Sequence, residues 1–114
     1  FSLTVRNYRA RSGVLNLSIY SMTKGGMKLM TKSLAFELAE RRINVNSLSP
    51  GAILTDINRE VLSDAAYRAR VIEKIPWKRI GEVGDVVGAA VFLCSAEADY
   101  ATGATLYVDG GILL

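Results

Sequence analysis

The sequence predicts an α/β protein with a parallel sheet, its strands joined by right-handed helical crossovers. Three observations carry that prediction. Residues 14–17, 43–48 and 105–108 are short runs marked off by glycine or proline, as strands are. Residues 22–40 repeat apolar side chains at the helical interval, the longest such pattern in the chain. A second apolar helix, residues 85–95, comes before the last strand, so the order reads strand, helix, strand, helices, strand.

Taken in order, residues 1–11 place Phe1, Val5 and Tyr8 at a 3–4 spacing, which predicts the tail of an amphipathic helix ended by Ser12 and Gly13. Residues 14–17 read as a short buried strand. In the helix of residues 22–40, Ser21 or Thr23 is the expected cap. Met22, Gly26, Leu29, Met30, Ser33, Leu34 and Leu38 share one broad face. The small residues Gly25, Gly26 and Ser33 let a second helix approach closely. Arg41 and Arg42 end this helix where a glycine would be easier, and a left-handed arginine costs roughly 1 kcal/mol relative to glycine.

Residues 43–48 form a strand of mixed polarity, which suggests that one face lies near a site. Pro50 and Gly51 stop it. Glycine lets a ligand come close to the backbone, and open α/β sheets bind cofactors at the carboxyl ends of their strands. Residues 56–74 are polar and weakly helical, with Ser63 the expected cap, Asp64 in the first turn and Pro76 ending the run. A turn at 81–84 leads to the apolar helix, which Asp85 caps or begins and which is apolar nearly all round, hence buried. Thr102 and Gly103 turn into the last strand, which Asp109, Gly110 and Gly111 close.

The 114 residues amount to one domain at most. Half are hydrophobic (50%) and mean hydropathy is +0.22, rich enough to imply apolar faces meant for more chain or another subunit. No apolar run approaches the roughly 18 residues of a membrane span, and no signal-peptide pattern opens the chain, so no membrane partner is expected. Cys94 has no partner cysteine. It is expected to be a buried structural thiol in a reducing, cytoplasmic compartment. The net charge of +3 gathers partly at Arg6, Arg9 and Arg11 and along Lys24, Lys28 and Lys32, but no nucleic-acid motif accompanies it, and no nucleic-acid partner is expected.

The chemistry centres on Tyr20 and Lys24. Four residues apart on a helix, they share one face about one turn apart. A free phenol titrates near pH 10, and a neighbouring ammonium favours its ionised form. Such a pair can pass a proton to or from an oxygen near neutral pH. The chain contains no histidine, so rivals for that role are few, and no metal site is expected.

Several ordered motifs surround the pair. Tyr20-Ser21-Met22-Thr23-Lys24 runs into Gly25-Gly26-Met27. Asn44-Val45-Asn46-Ser47-Leu48-Ser49-Pro50-Gly51 leads to Thr55. Tyr100-Ala101-Thr102-Gly103 comes before Leu106-Tyr107-Val108-Asp109-Gly110-Gly111. Over about residues 13–114 this set resembles the C-terminal half of the short-chain dehydrogenase/reductases, of the glucose 1-dehydrogenase and 3-oxoacyl-carrier-protein reductase type.

The resemblance implies the C-terminal half of a Rossmann-type doubly wound parallel sheet, with residues 1–114 a single partial domain that lacks the dinucleotide-binding half. It implies NAD or NADP as cofactor, a small-molecule carbonyl or secondary alcohol as substrate, and a homodimer or homotetramer in the complete protein. It makes Tyr20 the proton donor or acceptor and Lys24 its partner, and both residues cofactor-binding, with Lys24 holding the ribose hydroxyls. Pro50, Gly51, Ile53 and Thr55 would hold the nicotinamide. Ser18, at the expected strand end, matches the first serine of the family's pair, and Ile19 takes the second place. The family's loop of about a dozen residues between that serine and the tyrosine is missing, and no glycine-rich phosphate turn occurs. The isolated chain is therefore expected to be inactive. The rival expectation is a non-catalytic oligomerisation module or a degenerate copy.

Overall fold

A computed structural model describes residues 18–114 and the backbone of residues 2–5. Among the described residues three strands, β1 (Ser2–Val5), β2 (Val45–Pro50) and β3 (Thr105–Val108), form a parallel sheet in the order β1-β2-β3. Ser2 pairs with Val45, and Ser47 with Thr105. Among the described residues four α-helices connect the strands: α1 (Ser18–Glu37), α2 (Asp56–Arg59), α3 (Ala65–Glu73) and α4 (Val83–Cys94). The predicted α/β class and parallel sheet are thus found, as part of a doubly wound arrangement.

The first element departs from expectation. Residues 2–5 are a strand, not a helix tail. The 3–4 spacing of Phe1, Val5 and Tyr8 mimics a helix, but the ladder with β2 decides the local conformation. The strand expected at 14–17 lies outside the described residues. Helix α1 starts at Ser18 rather than Met22 and ends at Glu37. Ser21 and Thr23 are therefore inside it, and the Thr23 hydroxyl donates back to the Ile19 carbonyl at 2.9 Å. After a 3-10 turn, Arg42 takes the left-handed conformation, with φ 55°.

Strand β2 is central, and its residues 45–49 are buried. Buried parallel strands are normally apolar throughout, yet this one carries Asn46, Ser47 and Ser49. Their polarity serves the fold. Asn46 Nδ2 donates to the Ala101 carbonyl at 2.6 Å, and Asn46 Oδ1 accepts from the Ala104 N–H at 3.1 Å, fixing the entry to β3. Ser47 and Thr31 share a hydroxyl–hydroxyl bond of 2.8 Å that ties α1 to the sheet. Only Ser49 Oγ is buried with no hydrogen-bond partner on this strand. The mixed polarity read as a sign of a site is mostly spent on these internal bonds.

Two caps shift by a residue or more. Asp64, not Ser63, caps α3, accepting from the Tyr67 N–H at 2.7 Å. Asp85 is the third residue of α4, and its carboxylate reaches back to the Glu82 N–H at 2.7 Å. Helix α4 also buries less than its composition implied. Leu93 is buried, while Val83, Val87 and Val91 form an exposed stripe at intervals of four. Cys94, at the end of the helix, is exposed, which corrects its expected burial.

The left-handed backbone at Arg42 makes a stability prediction. Arg42→Gly should stabilise the fold by up to about 1 kcal/mol, because glycine adopts this conformation without a Cβ clash. Denaturant titration should show the midpoint rise, and Arg42→Ala should not match it.

Candidate active site

Helix α1 returns through residues 38–44 directly into β2, so the two run antiparallel. The bond between Thr31 and Ser47 sets their register. From Thr31 back to Tyr20 the helix rises about 16 Å. From Ser47 on to Gly51 the strand advances about 13 Å. Tyr20 and Lys24 are therefore carried to the level of the C-terminal end of β2, where Pro50 and Gly51 stand. Both side chains are half-buried, and Lys24 Nζ lies 5.7 Å from the centre of the Tyr20 ring. Ser18 is placed differently from its expected strand end. It is exposed in the first turn of α1, two residues before Tyr20, and residues so spaced on a helix point to different sides.

The loop of residues 50–55 is gripped from two directions. The Gly51 N–H donates to the Val108 carbonyl at 2.9 Å. A Cβ on Gly51 would fall 2.6 Å from Asp109 Cα and 3.0 Å from its carbonyl oxygen. The protein's own backbone thus demands this glycine. On the other side, Ile53 and Gly81 make a parallel bridge: the Gly81 N–H donates to the Ala52 carbonyl at 2.9 Å, and the Leu54 N–H donates to the Gly81 carbonyl at 2.8 Å. Here too a Cβ would be too close, 2.5 Å from Ile53 Cδ1.

Arg79 anchors this second grip. Its guanidinium donates twice to the Asp85 carboxylate, at 2.6 and 2.7 Å. The Arg79 hydrogen bonds, then that from the Glu82 N–H, hold the Asp85 carboxyl well below the usual carboxylate range. A lowered pKa stabilises the fold at every pH above the ordinary carboxyl range near 4, and the effect is lost only as pH falls through the lowered value. The pair is therefore intact at neutral pH.

Between the loop, the end of β3 and the chain before α4 lies a cleft of about 200 Å³, lined in part by Ile53, Ile75, Trp77 and Val108 with Arg79 and Asp109. A cavity of about 150 Å³ can hold a benzene ring. The cleft suits one ring, not a dinucleotide. Tyr20 and Lys24 do not line it. Among the described residues no group of three or more His, Cys, Asp or Glu side chains could hold a metal, and no helix is long and apolar enough to cross a membrane.

The sequence reading missed Asn58, Gly81, Arg79, Asp85 and Asp109. Asn58 was the most accessible of these, since Thr55 followed by Asn58 has the spacing of a helix-capping box.

The family model described as Enoyl-(Acyl carrier protein) reductase matches residues 2–113. The chain belongs to the short-chain dehydrogenase/reductase family. Among its relatives, glucose 1-dehydrogenase 2 of Bacillus subtilis (strain 168) is 45% identical over 95 residues, which cover 83% of this chain and 36% of that protein. A gluconate 5-dehydrogenase from Burkholderia cenocepacia J2315, solved in complex with NADP and tartrate, superposes with TM-score 0.91 at 33% identity, covering 97% of this chain and 44% of that one. A glucose/ribitol-type short-chain dehydrogenase/reductase from Brucella melitensis gives TM-score 0.88 at 35% identity, with 98% and 44% covered. The chain spans less than half the length of each of these family members. Its sheet is part of the family's Rossmann-type domain.

The two glycines give a comparative prediction. Gly51→Ala forces a Cβ into backbone that cannot yield and should destabilise the protein by about 1–3 kcal/mol. Gly81→Ala meets only the tip of a side chain. Adding Ile53→Val, which removes that tip, should recover most of the Gly81→Ala loss in thermal unfolding, while no side-chain trimming should recover Gly51→Ala.

Proposed function

We propose that these residues are the catalytic and nicotinamide-binding part of an NAD(P)-dependent oxidoreductase acting on a small carbonyl or secondary alcohol. The observation that carries the reading is Tyr20 with Lys24 Nζ 5.7 Å from its ring, at the level where β2 ends in Pro50 and Gly51. A proton-transfer group and a cofactor loop at the carboxyl end of a parallel strand suit this chemistry.

When bound, the nicotinamide cofactor supplies or accepts the hydride. Tyr20 gives the proton that turns a carbonyl oxygen into a hydroxyl, and takes it back in the oxidative direction. Lys24 keeps a positive charge beside the phenol and holds the ribose hydroxyls. Pro50 and Gly51 would help hold the nicotinamide, and Ile53 and Thr55 would hold its carboxamide. The residues present fit that group. The Ile53 N–H donates to nothing among the described residues, and the half-buried Thr55 carries a hydroxyl beside it in sequence. Ser18 has no part in this reading, because it is exposed and turned away from Tyr20.

The complete enzyme is a homodimer or homotetramer in a reducing, cytoplasmic compartment. Supporting this, Ile19, Met22, Leu29 and Phe36 are exposed at heptad positions along α1, with the small residues Gly26 and Ser33 completing the seam. These 114 residues contain no glycine-rich turn to grip a pyrophosphate. They turn over no substrate by themselves.

In the natural protein, Tyr20→Phe should cut turnover at least ~10²-fold. Near-normal turnover would remove Tyr20 from the mechanism. The 114-residue chain, purified and shown to be folded, should give no cofactor-dependent turnover with NAD or NADP across a panel of sugars and ketones. Turnover above background would contradict this.

A further inference from the structure

Asn58 has no role in the function proposed above, yet it touches both residues assigned there to the carboxamide. Asn58 Nδ2 donates to the Ile53 carbonyl at 2.8 Å. Its Oδ1 accepts from the Thr55 N–H at 2.8 Å and from the Thr55 hydroxyl at 3.3 Å. These contacts fix the amide's orientation. Reversed, its NH₂ would face an N–H and its oxygen would face a carbonyl.

The consequence lies in what remains unused. The Thr55 N–H is taken by Asn58, which also holds one lone pair of the Ile53 carbonyl, and the Leu54 N–H is taken by Gly81. The Ile53 N–H is left as a free donor. The Thr55 hydroxyl hydrogen is drawn toward Asn58 and one of its lone pairs faces the Asn58 N–H in the capping box, which leaves the other lone pair as an acceptor. A primary carboxamide offers an acceptor oxygen and a donor NH₂, the complement of that pair. A simple helix cap would need only the Oδ1 bond to Thr55. The Nδ2 bond to Ile53 reaches outside α2 and serves the loop.

We propose that Asn58 is a positioning residue for the nicotinamide end of the cofactor site, presenting the Ile53 N–H as donor and the Thr55 hydroxyl as acceptor. The proposal rests on the function given above. Asn58 touches no cofactor itself. It removes the rotational freedom of the two groups that do, a cost otherwise met at binding.

The test compares two ligands by calorimetry on the natural protein: NADP (or NAD), and the matching ADP-ribose compound that lacks nicotinamide. Asn58→Ala should weaken the intact cofactor about tenfold, the loss of roughly one well-placed hydrogen bond, and leave the analogue within about twofold. Asn58→Asp keeps the acceptor toward Thr55, so α2 stays capped, but sets a carboxylate against the Ile53 carbonyl. It should show the same selective loss, which guards against misfolding of the alanine variant. Hydrogen exchange should speed at the Thr55 amide in Asn58→Ala and not in Asn58→Asp. Equal losses for both ligands, or no loss for either, would overturn the positioning role while leaving the oxidoreductase reading in place. A wild-type protein that binds the analogue as tightly as the intact cofactor would overturn both.

Discussion

Asn46 sits in the middle of β2 with no exposed surface, so its carboxamide has to be hydrogen-bonded inside the protein. It is bonded to the segment that enters β3. Asn44 adds bonds to the carbonyls of Ala98 and Asp99, and the Thr102 hydroxyl accepts from the Val45 N–H at 3.2 Å. Together these fix where β3 begins against β2, and hence where Val108 and Asp109 stand. The Gly51 N–H then meets the Val108 carbonyl. The position of the candidate cofactor loop is thus set by polar contacts at the opposite end of the sheet, through the fixed rise of two paired strands.

The loop itself shows why glycine and charge occur where they do. At Gly51 backbone passes so close that a Cβ has no room, and at Gly81 a Cβ would meet the tip of the Ile53 side chain. Close packing of this kind fixes a loop only if the second chain is itself held, and the ion pair of Arg79 and Asp85 holds it. That pair is partly exposed, at 49% and 31% of the side-chain surface. Partly exposed pairs contribute little to global stability. Its value is geometric: a bidentate guanidinium–carboxylate contact fixes direction as well as distance.

Sequence legibility follows the range of the interaction. Tyr20 and Lys24 were readable because a spacing of four on a helix is a local relation. The left-handed Arg42 was readable because a helix end followed closely by a strand needs a sharp reversal. The alternation of strand and helix patterns gave the parallel sheet, and the family resemblance gave the cofactor role of the loop after β2. What failed was non-local. Residues 2–5 follow their partner in β2, not their own spacing. Asn46 and Ser47 look like site residues until Ala101, Ala104 and Thr31 are seen beside them. Cys94 looks buried because its helix is apolar, but burial depends on which face has a neighbour. Asn58 is a different case: its spacing from Thr55 marks a helix cap, but only its side-chain bond to the Ile53 carbonyl ties it to the loop.

The exposed apolar residues are the counterpart of this internal order. On α1, Ile19 is 76% exposed and Phe36 is 86% exposed, and both lie on the heptad seam. The seam cannot shift to an inner face, because Thr31 and Ala35 already occupy that face against β2. A helix bound to its sheet through one stripe therefore presents the other outward. The same holds for α4, where buried Leu93 leaves Val83, Val87 and Val91 outside. Two such stripes on a chain with mean hydropathy of +0.22 are more apolar surface than a single sheet can cover. The helix that carries Tyr20 and Lys24 is thus held on one face by β2 and leaves the opposite face exposed, so the placement of the candidate proton donor depends on the contacts of that one inner stripe.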